Sequence, residues 1–215
     1  MEQPYLQPMT RSVETTGTAK IRETTRLTLI RTGLGIIREK GFNNSGLQEI
    51  LQASGVPKGS FYHFFASKED FGLAIIEYDA GEHQREMERF LGDTSCGAVE
   101  RLRRYFEAKC RYFESRRHRE GCLLGNLGQE LADQNETFRV RIERFFADWC
   151  AALAACLKEA QKAREIPTHL SPDSLAAFLV NSWEGAITQM KITKSTEPLQ
   201  LFMDFVFGVL LKPCS

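Results

Sequence analysis

The stretch VPKGSFYHFFASK, residues 56–68, decides the fold of this chain. An amphipathic segment, 46–54, precedes it, and Gly55 stands between the two, where a left-handed residue lets the backbone reverse after a helix. Pro57 suits a first helical position, which has no use for an amide hydrogen. The pattern predicts a short second helix over 57–64, in which Phe61 and Phe65 lie one turn apart and face inward. Lys58, Gly59, Ser60, Tyr62 and His63 are then left on the outer face. A short helix with a small, basic and hydroxyl-bearing outer face fits the major groove of DNA.

Outward from this stretch, the upstream segment 18–40 has helical periodicity, with Thr25, Leu29, Gly33, Ile36 and Ile37 on one stripe and Gly41 as its C-cap. Phe42 is expected to fold back on that stripe. Ser45 with Gln48 three residues later has the spacing of a capping box, and Ser45 is also a candidate DNA contact. Leu47, Ile50 and Leu51 form the core face of the helix that follows. Downstream, Ser67 caps a helix with Glu69 and Asp70 in its first turn, where the helix dipole favours acids. No breaker except Gly81 interrupts it before Phe90, so it is a rod of about 36 Å. The rod leads from the small unit into a second body without a flexible linker. The expected organisation is an arm over 1–17, in which Arg11 is a weak candidate phosphate contact, a DNA-binding unit over 18–66, and a ligand-binding and dimerisation body over 67–215.

In that body, Val99, Leu102, Phe106, Cys110 and Phe113 mark one helix. The basic run Arg116, Arg117, His118, Arg119 leads into GCLLGNLGQELA, 121–132, a short helix. Long stripes follow over 135–163 and 172–193, with a last helix near 198–211. No segment alternates with a β period, so the fold class is all-α, about nine helices with a helix-turn-helix at the N-terminus.

Bulk properties exclude more than they identify. Lysine plus arginine balances aspartate plus glutamate at 28 each in 215 residues, and the first 70 residues hold nine basic and seven acidic side chains. That surplus is too small to diagnose nucleic-acid binding, so the motif must carry the claim. The six cysteines form no C-x-x-C pair, and neither they nor His83, His118 and His169 have metal-ligand spacing. Reduced thiols, no metal and no cofactor are expected. No signal-peptide core and no run of eighteen apolar residues is present, which points to a cytoplasmic protein with no membrane contact.

Residues 41–68, GFNNSGLQEILQASGVPKGSFYHFFASK, resemble the DNA-binding signature of the TetR family of bacterial transcriptional repressors. The matching positions are Gly41-Phe42, Gly55-Val56, Gly59-Ser60-Phe61-Tyr62, Phe65 and Ser67-Lys68; Phe64 departs, being apolar where the family is often polar. The resemblance implies a homodimer on a palindromic double-stranded operator, with a divergent helical body that takes a small effector. Lys58 and Ser60 would reach base edges or phosphates, Gly59 would allow close approach, and Tyr62, His63 and Lys68 would hold phosphates.

The phrases GCLLGNLGQE, 121–130, and WEGAITQMKI, 183–192, resemble a narrower branch that includes the N-ethylmaleimide-reductase repressor and acrylate-responsive repressors. That resemblance implies an electrophile, an oxidant, or an unsaturated acid or thioester as effector, acting at Cys122, with Lys191 as a neighbouring amine. A basic run and a helix N-terminus both lower a thiol pKa, which agrees; a free cysteine is, however, more often a small buried hydrophobe. Trp149, Trp183, Phe145 and Phe106 could line a pocket with Asn126, Gln129, Glu130 and Glu184 as its polar groups, or be ordinary core. Leu199, Phe202, Val206 and Val209 on the last helix are candidates for the dimer interface, or for a monomer core. The leading reading is a repressor whose rod, 67–90, tilts when the effector acts. Induction by a non-covalent hydrophobic ligand, a cysteine enzyme built on Cys122 and His118, and an adaptor without DNA binding are the alternatives. The enzyme reading lacks an oriented base and an oxyanion site.

Overall fold

Each helix of this chain starts or stops at a residue whose chemistry dictates it. The computed structural model describes residues 17–212, so residues 1–16 of the expected arm, Arg11 among them, and Cys214 lie outside the described residues, while the arm's last residue, Gly17, already belongs to the first helix. The order is α1 (Gly17–Lys40), α2 (Leu47–Ser54), α3 (Lys58–Phe64), α4 (Lys68–Leu91), α5 (Ala98–Ser115), α6 (Leu123–Leu131), α7 (Glu136–Lys162), α8 (Pro172–Thr193) and α9 (Glu197–Phe205). A π-helical turn, Val206–Leu210, extends α9. No strand occurs among the described residues.

The caps follow local chemistry. Gly41 and Gly55 take left-handed φ values of 81° and 67°, as the reversals after α1 and α2 require. The Asp70 amide donates to Ser67 Oγ at 3.0 Å, the Phe138 amide to Asn135 Oδ1 at 3.1 Å, and the Ser174 amide to Ser171 Oγ at 3.4 Å. Two expectations are corrected. Ser45 caps nothing: Gly46 is the N-cap of α2, without a side-chain bond, and the Ser45 hydroxyl donates back to the Gly41 carbonyl. Pro57 is the N-cap of α3 rather than its first residue, and its carbonyl accepts from the Ser60 and Phe61 amides.

Aromatic packing joins α1–α3 to α4. Phe61, Phe65 and Phe71 are buried, with ring centroids 4.9–5.3 Å apart. The Phe71 ring fills the space where Gly33 lacks a Cβ, and Gly72 admits Phe42 and Phe138 together. Beyond this junction α7 is the central element, touching α4, α5, α6 and α8, while α9 closes over α5 and α8. The rings of Phe106, Trp183 and Phe202 pack at steep angles with centroids 4.9–5.0 Å apart in that second core.

A methyl group at position 72 would stand 2.5 Å from Phe42 Cε2 and 2.7 Å from Phe138 Cζ, whereas one at position 35 meets nothing within 4 Å. Gly72→Ala should therefore cost about 1–3 kcal/mol by overpacking. Gly35→Ala should gain up to about 1 kcal/mol of helix propensity. Urea unfolding of the two variants against the parent checks both signs.

Candidate functional site: a nucleic-acid face and an effector cleft

The short helix α3 offers its outer face to solvent. Lys58, Gly59 and His63 are exposed, Tyr62 is half exposed and Ser60 half buried. Phe61 and Phe65 are buried on the other side, as their spacing predicts. A Cβ at Gly59 would meet no protein atom within 4 Å, so packing in the chain does not call for glycine there. Arg26 of α1, which is exposed, stands over the Phe65 ring at 5.3 Å.

Two of the expected DNA contacts are not on this face. Ser45 is fully buried and hydrogen-bonded to Gly41. Lys68 turns inward, donating from Nζ to the Phe42 carbonyl at 2.7 Å and to that of Asn43 at 3.5 Å, with the ammonium over the Phe42 ring. Burial lowers its pKa, opposed by the Glu130 carboxylate. Glu130, expected in a pocket, instead accepts from the Phe42 amide at 2.9 Å and the Asn43 amide at 2.7 Å.

The second feature is a cleft of about 650 Å³ whose walls come from α1, α4, α5, α7, α8 and the start of α6. Cys122, Trp149, Trp183 and Glu184 line it, as does Phe145. The other expected pocket residues do not. Gln129 is exposed, Asn126 lies behind the wall against Gly121, Lys191 is outside the lining, and Phe106 is core beside Trp183. The amine in the wall is Lys109, paired with Glu86.

Sequence reasoning also missed the polar lining. Asp79, Glu82, His83 and Glu86 repeat at helical spacing on α4 and all line the cleft; that spacing, which puts four polar groups on one face, was the available signal. Arg38 of α1 pairs with Asp79 at 2.5 Å and donates to Tyr112 Oη at 3.3 Å, while Tyr112 donates to Glu120 at 2.6 Å. Burial pushes the Asp79 carboxyl above its usual range despite Arg38. His83 sits between the Trp149 and Phe145 rings, its Nε2 2.8 Å from Tyr105 Oη. Burial, helped by the Lys109 charge, drives its pKa down to about 2, so the ring is neutral. Arg38 Nε, His83 Nδ1, Trp149 Nε1 and Glu184 Oε1 are buried without a hydrogen-bond partner, and all four residues line this cleft.

Cys122 is the N-cap of α6, its Sγ accepting from the Gly125 amide at 3.4 Å. The lowering of the thiol pKa expected from the basic run and the helix N-terminus is opposed here. Burial, then the Glu184 charge, raises the thiol well above its ordinary range, and the Gly125 bond does not offset them. Of the basic run, Arg116, Arg117 and Arg119 are exposed, which screens their charge, and Arg116 pairs with Glu120 at 3.6 Å. Glu184 is the thiol's partner. Burial raises its pKa to about 7, against the Cys122 hydrogen bond and the Lys109 charge, which lower it. Gly125 makes room for this carboxylate, because a Cβ there would collide with Glu184 Oε2.

Residues 29–75 match the profile of bacterial regulatory proteins of the tetR family, and 98–206 that of the tetracyclin repressor-like C-terminal domain. The chain is 38% identical over 190 residues to the HTH-type transcriptional repressor DhaR of Mycobacterium sp. strain GP1, covering 88% of this chain and 94% of that one. This chain belongs to the TetR family. It is also 38% identical over 174 residues to the transcriptional regulator AcuR of Cereibacter sphaeroides, covering 81% of this chain and 80% of that one. The reduced form of NemR from E. coli superposes with a TM-score of 0.82 at 29% identity, covering 89% of this chain and all of that one. These relatives are transcriptional regulators, not enzymes.

The expected dimer residues divide in this TetR-family chain. Leu199, Phe202 and Val206 are buried in the chain's own core, while Val209 is 62% exposed. On α8 and the α9 segment the exposed large apolar side chains are Phe178 (48%), Ile192 (68%), Leu201 (70%), Phe205 (51%) and Val209. The buried stripe of α9 packs on α5 and α8, so a partner can meet only the opposite stripe. No helix of the described residues is long and apolar enough to cross a membrane.

Glu184 binds its proton more tightly folded, at about 7, than its ordinary value of 4.5. The folded state therefore loses stability as pH rises through that window. His83 has the opposite sign: it stays neutral when folded, and its contribution falls as pH drops below 6.5. Comparison with Glu184→Gln cancels the histidine. The variant should gain stability relative to the parent as pH rises from about 5 to about 7.5. Urea midpoints at both pH values check it, and a constant difference contradicts it.

Proposed function

We propose that this chain is a repressor that binds a palindromic operator as a homodimer and releases it when an effector enters the cleft at Cys122. The observation that carries this reading is the exposed face of α3 on a buried aromatic base, with Gly59 clear of every neighbouring protein atom. Lys58 and Ser60 meet base edges or phosphates, and Tyr62, His63 and Arg26 meet the backbone of the duplex. Two copies related by a two-fold axis present two such helices to successive major grooves. The exposed apolar stripe of Phe178, Leu201, Phe205 and Val209 supports pairing through α8 and α9.

For the effector, the unpartnered donors and acceptors in the cleft favour a small amphipathic molecule with oxygen or nitrogen groups, held against aromatic walls. The Cys122–Glu184 pair supports covalent capture of an electrophile. Glu184 accepts the thiol proton, the sulfur forms a bond to the terminal carbon of an activated alkene, the π electrons move to the adjacent carbon, and that carbon takes the proton back. Because burial holds the thiol neutral, this capture is slow unless the electrophile sits beside Glu184. Non-covalent occupancy of the same cleft is the second reading, favoured by that same neutral thiol. As a DNA-binding regulator the chain acts in the cytoplasm.

A mobility-shift titration with the DNA upstream of its own coding region tests the proposal. Binding should weaken steeply with salt, and Lys58→Ala should cost about tenfold. Preincubation with N-ethylmaleimide should release the parent but not Cys122→Ser, while both bind untreated DNA alike. Absence of salt-dependent binding contradicts the repressor reading. Equal release of parent and Cys122→Ser contradicts the thiol reading and leaves non-covalent induction.

A further inference from the structure

Helix α6 touches both functional regions, one at each end. Its N-terminal end is the cleft wall, where Cys122 caps the helix and Gly125 lies under the Glu184 carboxylate. About 12 Å further along the axis, Glu130 accepts both amides of the loop that opens the helix-turn-helix, Phe42 at 2.9 Å and Asn43 at 2.7 Å. The fit is close: Gly41, at φ 81°, would place a Cβ 2.8 Å from Glu130 Oε2. Gln134, just past the helix, accepts from Asn43 Nδ2 at 3.5 Å. Leu123, Leu124, Leu127 and Leu131 form the buried face of α6, which packs on α7.

We propose that α6 is a connecting rod and that Glu130 is the positioning residue through which the state of the cleft reaches the recognition helix. The proposal rests on the reading that the cleft receives the effector. An occupant pressing on Cys122 or Glu184 displaces the capped end of α6. Nine residues of helix move as one body, because the hydrogen-bond ladder resists compression. The far end then withdraws the carboxylate from the two amides, and the loop before α2 is released with α2 and α3 behind it. A carboxylate can take two amide hydrogens at once, and no neutral side chain of the same size can do so with equal strength. Glu130 contacts neither the cleft lining nor the exposed face of α3, so its role is transmission alone.

A mutant cycle tests this without any effector or thiol reagent. Gly125→Ala places a methyl group where Glu184 Oε2 stands and so displaces the capped end of α6. Glu130→Gln loosens the other end. Amide hydrogen exchange at Phe42 and Asn43 and operator affinity are measured for the parent, both single variants and the double variant. Each single variant should raise exchange at the two amides and weaken operator binding, by about tenfold, and the double variant should be no worse than Glu130→Gln. Protected amides in Gly125→Ala, or losses that multiply in the double variant, overturn the proposal. Cys122→Met, which enlarges the residue at the same end, replaces Gly125→Ala in the cycle if the latter does not fold. The exchange arm needs neither DNA nor a reactive thiol, so it is decided separately from the repressor and sensor readings.

Discussion

Two adjacent peptide units, at Phe42 and Asn43, give both amides to one carboxylate and offer both carbonyls to one ammonium. The carboxylate is Glu130 on α6 and the ammonium is Lys68 at the start of α4. A loop with these groups half buried and unpaired would cost on the order of several kcal/mol, so something must satisfy them. In this chain the satisfying groups come from helices outside the helix-turn-helix, which ties the placement of α3 to α4 and α6. The Phe42 ring repeats the arrangement in apolar form, reaching 5.1 Å from Phe138 of α7 through the space left by Gly72. Regulation of a DNA face by a distant cleft requires such an attachment, because an effector can bias only what it is mechanically joined to.

The cleft illustrates a second constraint, the cost of burying ionisable groups. Asp79 keeps a cation beside it and still has its pKa raised; Glu184 has no cation in direct contact and sits near neutrality; His83 is held neutral. These are desolvated groups, not a solvated charged surface. Arg38 adds a direct route, since it belongs to α1 and yet forms part of the cleft wall. Two connections, Arg38 to Asp79 and Glu130 to the Phe42–Asn43 amides, therefore tie the DNA-binding helices to α4 and α6.

Elements governed by local chemistry were legible in the sequence. Ser67, Asn135, Ser171, Gly41 and Gly55 announce helix ends because a cap depends on three or four neighbouring residues, and Phe61 and Phe65 announce a core because helical spacing alone brings them together. Long-range partnership was not legible. Ser45 and Lys68 have the right residue types for phosphate, yet one is buried and the other spans from α4 to a loop 26 positions earlier. Cys122 has the neighbours that should acidify a thiol, but burial and a carboxylate from α8, 62 positions away, decide its state. On α9 the sequence announces an amphipathic helix without saying which stripe faces its own core, so Leu199, Phe202 and Val206, expected at a partner, pack inside the chain, and the exposed Leu201 and Phe205 did not stand out.

The most direct test of this account is the distance between the two helix-turn-helix units of the proposed dimer, measured by pulsed electron resonance between labels attached through a non-cysteine residue at Ala53, an exposed position outside the proposed DNA contacts. On operator DNA the account predicts one narrow distribution consistent with recognition helices about 34–36 Å apart. Occupying the cleft, or alkylating Cys122, should broaden and shift it. A distribution that is the same with the cleft empty and filled, or the absence of any intermolecular distance, would contradict it.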